Sequence, residues 1–231
     1  MKKIILSSVV AVSAAAASTT AFAGDEISIS TSIDYVTEYV FRGVSLEDSA
    51  IQPGVEVSLG DFTVGAWASA GFGEDSLQDT DELDLYAGYG FSLSDSISAS
   101  VGATYYTYPD ASDTFEVSFG LGFDTALAPS VTAYYDFDLE AFTLEGGLGH
   151  SLATGEKTAL DLGVTAGLVD GDGFSYEYGQ VSASLGYGFT DDVSAYVGAN
   201  YVLSSEDTLG FTKTTPKDNL LWLGVGIAAG F

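Results

Sequence analysis

Apolar and polar residues alternate with period two along almost the entire chain. Near the start, Ile27, Ile29, Ile33, Tyr35, Tyr39 and Phe41 share one parity, while Ser28, Ser30, Ser32, Asp34 and Glu38 take the other. At the far end, Leu221, Leu223, Val225, Ile227, Ala229 and Phe231 alternate with Gly224, Gly226, Ala228 and Gly230. An extended chain sends successive side chains to opposite faces, so the pattern predicts strands with one apolar face and one small or polar face. About twelve such runs are predicted, at 26–41, 50–60, 61–70, 82–93, 97–108, 114–124, 131–137, 141–152, 158–168, 177–189, 193–204 and 220–231. Most have about the nine to twelve residues with which a tilted strand crosses roughly 25–30 Å of hydrocarbon.

The connections alternate in length. Gly60-Asp61, Ser94-Asp95-Ser96, Thr125 to Ser130, Ala153 to Lys157 and Thr190-Asp191-Asp192 are short. Between them fall longer acidic segments: Gly43 to Ser49, Gly71 to Asp81, Pro109 to Asp113, Val169 to Tyr176 and Ser205 to Asn219. Asp138-Leu139-Glu140 breaks the rule by being short. Short turns at one end and longer loops at the other are expected of an outer-membrane barrel. Hairpin-level repetition agrees: Gly88-Tyr89-Gly90-Phe91, a turn and Ile97-Ser98-Ala99 recur as Gly186-Tyr187-Gly188-Phe189, a turn and Val193-Ser194-Ala195. That is the repetition of a closed meander.

A soluble sandwich alternates too, but its solvent face would be rich in Lys and Glu. Here that parity is dominated by small residues such as Gly102, Gly120, Gly147, Gly163, Ser118 and Ser182, as a narrow shared interior requires. The apolar parity ends in aromatics. Phe62, Tyr89, Phe91, Phe123, Tyr187, Phe189 and Phe231 form one expected belt, and Tyr39, Phe41, Tyr105, Phe115, Tyr135, Phe142 and Tyr201 the other. The predicted fold is all-β, a transmembrane antiparallel up-and-down barrel of about 12 strands.

Composition adds a destination and removes several functions. Lys2 and Lys3, an apolar stretch from Ile4 to Ala17 and the Ala21-Phe22-Ala23 cleavage pattern predict a signal peptide at 1–23, leaving the barrel at 24–231. Of the charged residues, four Lys/Arg and all 33 Asp/Glu follow Ala23, a net charge of −29. Such a surface excludes nucleic-acid binding. The absence of cysteine removes disulfides, thiolate nucleophiles and cysteine-rich zinc sites. No cofactor, metal site or catalytic residue is expected. His150 is the one histidine, and its parity, shared with Phe142, Leu144, Leu148 and Leu152, points it to lipid rather than to a catalytic partner. Asp170-Gly171-Asp172-Gly173 lacks the other ligands of a calcium loop, with Phe174 and Ser175 in their place, and reads as a turn.

Five segments carry a family resemblance: Tyr39-Val40-Phe41-Arg42-Gly43-Val44-Ser45, Leu83-Asp84-Leu85-Tyr86-Ala87-Gly88-Tyr89, Tyr105-Tyr106-Thr107-Tyr108-Pro109, Phe115-Glu116-Val117 and Ala133-Tyr134-Tyr135. In this order they resemble the TorF family of proposed porins of the Gram-negative outer membrane. The resemblance implies an outer-membrane barrel and a pore, and supplies no substrate.

The lumen is therefore the candidate site. By parity Glu38, Arg42, Glu56, Asp84, Glu116, Asp136, Glu145, Asp161 and Glu177 are expected to line it, as is Asp34. Twelve strands close a ring with a backbone radius of roughly 12 Å, wide enough for a narrow aqueous path if small side chains line it. Arg42, the one inward cation, is placed near the outer end of the first strand among carboxylates. It serves either an internal salt-bridge cluster that holds the barrel's shape or a charged constriction. The expected function is passive diffusion of small hydrophilic solutes or ions, cations preferred. Lipid and lipopolysaccharide are the surrounding partners. A non-conducting structural or adhesin-type barrel is the alternative.

Overall fold

The computed structural model describes residues 27–72, 81–109, 111–210 and 216–231. The expected signal peptide and most of the 71–81 loop lie outside the described residues. The strands are β1 (Ile27–Val36), β2 (Tyr39–Phe41), β3 (Val44–Glu47), β4 (Ala50–Leu59), β5 (Phe62–Gly71), β6 (Glu82–Ser94) and β7 (Ile97–Thr107). They continue as β8 (Thr114–Phe123), β9 (Ser130–Asp136), β10 (Ala141–Ala153), β11 (Thr158–Gly171), β12 (Phe174–Gly188), β13 (Val193–Ser204) and β14 (Asn219–Gly230). Twelve of them close an antiparallel barrel, and β2 and β3 form a separate two-stranded sheet.

Closure is made by β1, which pairs with β14 from Ser30↔Gly230 to Val36↔Gly224 and with β4 from Ile27↔Leu59 to Val36↔Ala50. Both described ends of the chain therefore meet at one rim, the inner end, together with the short turns. Every wall strand finds backbone partners on both sides, which leaves no open edge.

The outward face is apolar over its full height. Ile33, Val55, Val101, Leu148, Val181 and Leu223 are each between 42% and 51% exposed. A water-soluble surface does not present such a belt, and covering each side chain with hydrocarbon contributes about 1 kcal/mol. Rings rim the belt at both ends. At the inner end Tyr89 stacks on Phe91 with centroids 6.2 Å apart and Tyr187 meets Phe189 at 5.1 Å. At the outer end Phe137 packs against Phe115 and Tyr135.

Three expectations change. The first strand ends at Val36, and Tyr39 and Phe41 leave the wall, so Tyr35 and Phe72, stacked at 5.8 Å, take their place in the outer rim. The expected loop from Val169 to Tyr176 is mostly strand, because β11 and β12 pair as far as Gly171↔Phe174 around the Asp172-Gly173 turn. Strand lengths also spread more widely than expected, from 7 residues in β9 to 15 in β12.

Candidate functional site

Between Val36 and Ala50 the chain leaves the wall, turns and returns. Its tip pairs Phe41 with Val44 around Arg42 and Gly43, whose φ angles are 45° and 77°. Two successive left-handed residues make the tight turn whose twist suits a hairpin, a place that favours Asn-Gly. Arginine there costs about 1–2 kcal/mol. Something must hold it.

The hairpin lies inside the lumen. Its base joins an internal apolar cluster of Val36, Tyr39, Ala50, Val202, Leu209, Leu220 and Trp222, with Val40, Phe41, Leu46 and Trp67 packed against it. Leu209 comes from the loop after β13, which folds in above the hairpin. The Thr208 hydroxyl donates to Gly43 O at 2.5 Å, and Ser45 N donates to Thr208 O at 3.2 Å. Tyr39 tilts against Trp67 with centroids 5.5 Å apart and donates through its hydroxyl to Glu82 Oε2 at 2.8 Å. Tyr108 donates to the other oxygen of the same carboxylate at 2.9 Å. Burial, and then the nearby Glu82 and Asp84 charges, push both phenols well above their ordinary pKa, so they remain donors.

From this seat the tip reaches the opposite wall. Arg42 Nη1 and Nη2 donate to Glu116 on β8 at 2.5 and 2.9 Å, a bidentate pair in which both side chains are almost fully buried. Its guanidinium carbon lies 3.8 Å from the ring centroid of Tyr134 and 4.7 Å from that of Phe41. Tyr106 donates to Glu116 Oε1 at 3.1 Å and meets Phe41 edge-on. Burial alone would lower the Arg42 pKa, but the Glu116 hydrogen bonds and charge outweigh it and raise it, so the guanidinium stays protonated. A bidentate, ring-faced arginine is the strongest arrangement that side chain can make. Gly43 completes the fit: a Cβ there would stand 2.5 Å from Tyr178 Cβ on β12.

The two halves of the lumen differ. In the inner half large rings lie flat over glycines of the neighbouring strand: Tyr86 over its partner Gly65, and Tyr196 over its partner Gly226. Serine and glycine interleave between them, as at Gly102 with Ser118 and Gly163 with Ser182. In the outer half the wall closes on the hairpin. All twelve wall strands, for example Gln52 of β4, Asp84 of β6, Thr143 of β10 and Trp222 of β14, contribute a lumen-facing side chain less than one-tenth exposed there.

The predicted lining residues divide accordingly. Arg42 and Glu116 pair, with Asp84 in electrostatic range of Glu116, while Glu38 is buried on the hairpin's first arm and accepts a bond from the Ser45 hydroxyl. Arg42 is on the tip, however, and not on the first wall strand. Asp34 faces inward and is buried beside Tyr196 and Gly226, at the border of the two halves. Glu145 faces the lumen on β10 and accepts a bond from Tyr178. Glu56 lies deeper, bonded by Tyr86 at 3.2 Å, and Asp161 lies near the inner end of β11. Asp136 faces inward but is spent on the turn after β9, accepting from the Asp138 and Leu139 amides at 2.9 and 2.8 Å. Glu177 is a correction. It is exposed, opposite the lipid-facing Leu168 and in phase with Val181 and Leu185, so it stands on the outer face.

Parity counted along β6 and β7 would have added Glu82, Tyr106 and Tyr108 to the lining. No parity rule could have placed Tyr39 and Phe41, which leave the wall altogether. His150 faces outward and its Nδ1 lies 2.6 Å from Ala126 O. Among the described residues no group of three or more His, Cys, Asp or Glu could hold a metal ion. The five segments of the family resemblance converge here: the hairpin tip is one of them, and the walls it faces on β6, β7, β8 and β9 are the other four.

A family model described as a bacterial protein of unknown function (Gcw_chp) matches residues 20–132, which include the hairpin and the wall as far as β9. No curated protein matches the chain in sequence. Solved structures match throughout the barrel. The KdgM porin aligns with a TM-score of 0.61 at 11% identity over 88% of this chain and 99% of its own. A second KdgM structure, in complex with disordered oligogalacturonate, gives 0.60 at 10% identity over the same shares. The NanC porin gives 0.55 at 13% identity over 88% of this chain and 98% of its own. The COG4313 outer membrane channel from Pseudomonas putida F1 gives 0.53 at 11% identity over 89% and 95%. At these identities the likeness is one of fold: this chain has the closed twelve-stranded barrel of outer-membrane porins.

Proposed function

We propose that this barrel is an outer-membrane channel for small hydrophilic solutes, with cations preferred and the β2–β3 hairpin as its constriction. The observation that carries the reading is the charge of the occupied half. Glu82, Asp84, Glu116 and Glu145 of the wall face it, with Arg42 paired to Glu116. The wall carboxyl groups of Glu82, Asp84 and Glu145 beside that pair form an acidic collar of the kind that favours cations in channels. The porin structures of like fold support the pore, and the TorF resemblance fits it, since its segments form the hairpin and the wall opposite. The oligogalacturonate of the KdgM complex is an anionic saccharide, and this lumen has the opposite complementarity. Lipid and lipopolysaccharide would surround the apolar belt.

The filled outer half favours a second reading, a barrel that does not conduct in its resting form and serves as a structural or adhesive surface protein. Planar-bilayer recording separates the two. In a tenfold KCl gradient (about 10:1 across the membrane) the reversal potential of the refolded protein is expected to have the sign of potassium selectivity. Chloride selectivity would overturn the cation preference. Silence, both in the native chain and in a variant lacking residues 38–48, would overturn the channel.

A further inference from the structure

We propose that the space holding Arg42 is a cation-recognition cage, that the chain's own guanidinium is its resting occupant, and that a guanidinium or primary-ammonium solute replaces it and frees the hairpin tip. This deepens the channel reading and rests on it for the passage of the solute, though not for the binding.

The cage is built by the wall. Glu116 supplies the paired oxygens, Tyr134 the ring face and Tyr106 a hydroxyl that orients the carboxylate; they stand on β8, β9 and β7. None of these strands depends on the hairpin for its backbone pairing, so the cage outlasts the departure of the tip. Planar guanidinium recognition uses this set of contacts, a two-oxygen fork and an aromatic face.

Two observations show that Arg42 fits the cage incompletely. Its buried Nε has no hydrogen-bond partner. Asp84, on the neighbouring wall and only 2% exposed, lies against the carboxyl group of Glu82 and within electrostatic range of Glu116, and makes no bond to Arg42. The wall beside Glu116 thus carries further carboxyl oxygens that the tethered side chain does not reach. A free solute, turning without a backbone attached, can use both acids. The tether is also strained, since Arg42 occupies the left-handed region that a non-glycine residue rarely adopts. Replacement relieves that strain, whereas an anionic solute competing for Arg42 would have to enter among Glu82, Asp84 and Glu145.

Methylguanidinium chloride is the probe, titrated calorimetrically into the full barrel in detergent micelles. Arg42→Ala empties the cage and is expected to bind the probe about tenfold tighter than the native chain, because the competing occupant is gone. Arg42→Met, which keeps the packing of the stem, should behave alike and serves if the alanine variant does not fold. Arg42→Ala with Glu116→Gln should lose the gain. In the native chain the saturating probe should red-shift tryptophan emission, because both tryptophans, Trp67 and Trp222, lie in the hairpin's seat. Equal affinity in the emptied and native cages, or undiminished affinity in the double variant, overturns the proposal. Binding without conductance in any variant would instead overturn the channel reading and leave the cage standing.

Discussion

Arg42 is the residue on which the occupied lumen turns, and its partner is the sharper test of that role. Removing the Glu116 charge leaves a guanidinium buried against rings with no counter-charge, a loss of about 3–5 kcal/mol. Glu116→Gln is therefore expected to lower the midpoint of urea unfolding in lipid. Pairing it with Arg42→Met should restore most of the loss, since a buried ion pair exchanged for apolar contact is nearly neutral. A double variant as unstable as the single one would show that the ion pair itself stabilises the barrel. Gly43→Ala tests the other half of the turn. A φ of 77° and a Cβ position 2.5 Å from Tyr178 leave no room for the methyl, so the tip should withdraw and tryptophan emission move to the red, with the barrel intact by heat-modifiable gel mobility. Little of this residue-scale arrangement was legible in the chain. Arg42 stood out as the one inward cation, expected among carboxylates near the outer end of the first strand. The pairing with Glu116 was not legible, because it links positions 74 residues apart and follows from closure of the ring rather than from local pattern.

At the scale of elements the strands were readable and the hairpin was not, for one reason. Period-two alternation runs from Ile27 to Tyr35 with one exception at Thr31, slips at Val36-Thr37 and resumes through Tyr39 and Phe41, because a lumen hairpin is itself a strand pair with one face on an apolar seat. The rule that marks wall strands marks it too. Two features argued against a single run: its length beyond the other runs, and the Arg42-Gly43 dipeptide flanked by apolar residues, a turn signal. Glu177 is a different case: it heads the expected strand 177–189, and counting its phase from Val181 puts it on the outward face. The hairpin is an insertion and not a support, since β1 and β4 pair over their whole length without it. Replacing residues 38–48 by a short Gly-Ser turn is thus expected to leave a folded, heat-modifiable barrel. Single-channel conductance should rise several-fold, because the outer half would then open to the wall. A variant that fails to fold under conditions that refold the native chain would show that the internal cluster is needed for closure.

For the whole molecule the decisive quantity is which part carries the charge that ions meet. The segment 38–48 carries Glu38, Glu47 and Asp48 against Arg42, a formal balance of two negative charges, whereas the wall of the same half contributes Glu82, Asp84, Glu116 and Glu145. Selectivity in a charged pore falls as its radius grows past the Debye length, about 8 Å at physiological ionic strength, and an emptied twelve-stranded barrel is narrower than that once its side chains are counted. Excision of the hairpin should therefore raise conductance and keep potassium preferred over chloride, with a reversal potential of the same sign and somewhat smaller size. Adding Glu82→Gln, Asp84→Asn and Glu145→Gln to the excised barrel should bring that potential close to zero. Residues far from the hairpin provide the control: Asp161→Asn, near the inner end, removes one charge from a half lined mostly by serine and glycine and should shift the potential less than any outer-half substitution. If the excised barrel instead loses its preference while the wall acids are intact, the selective element is the hairpin, and the collar of wall carboxylates is structural.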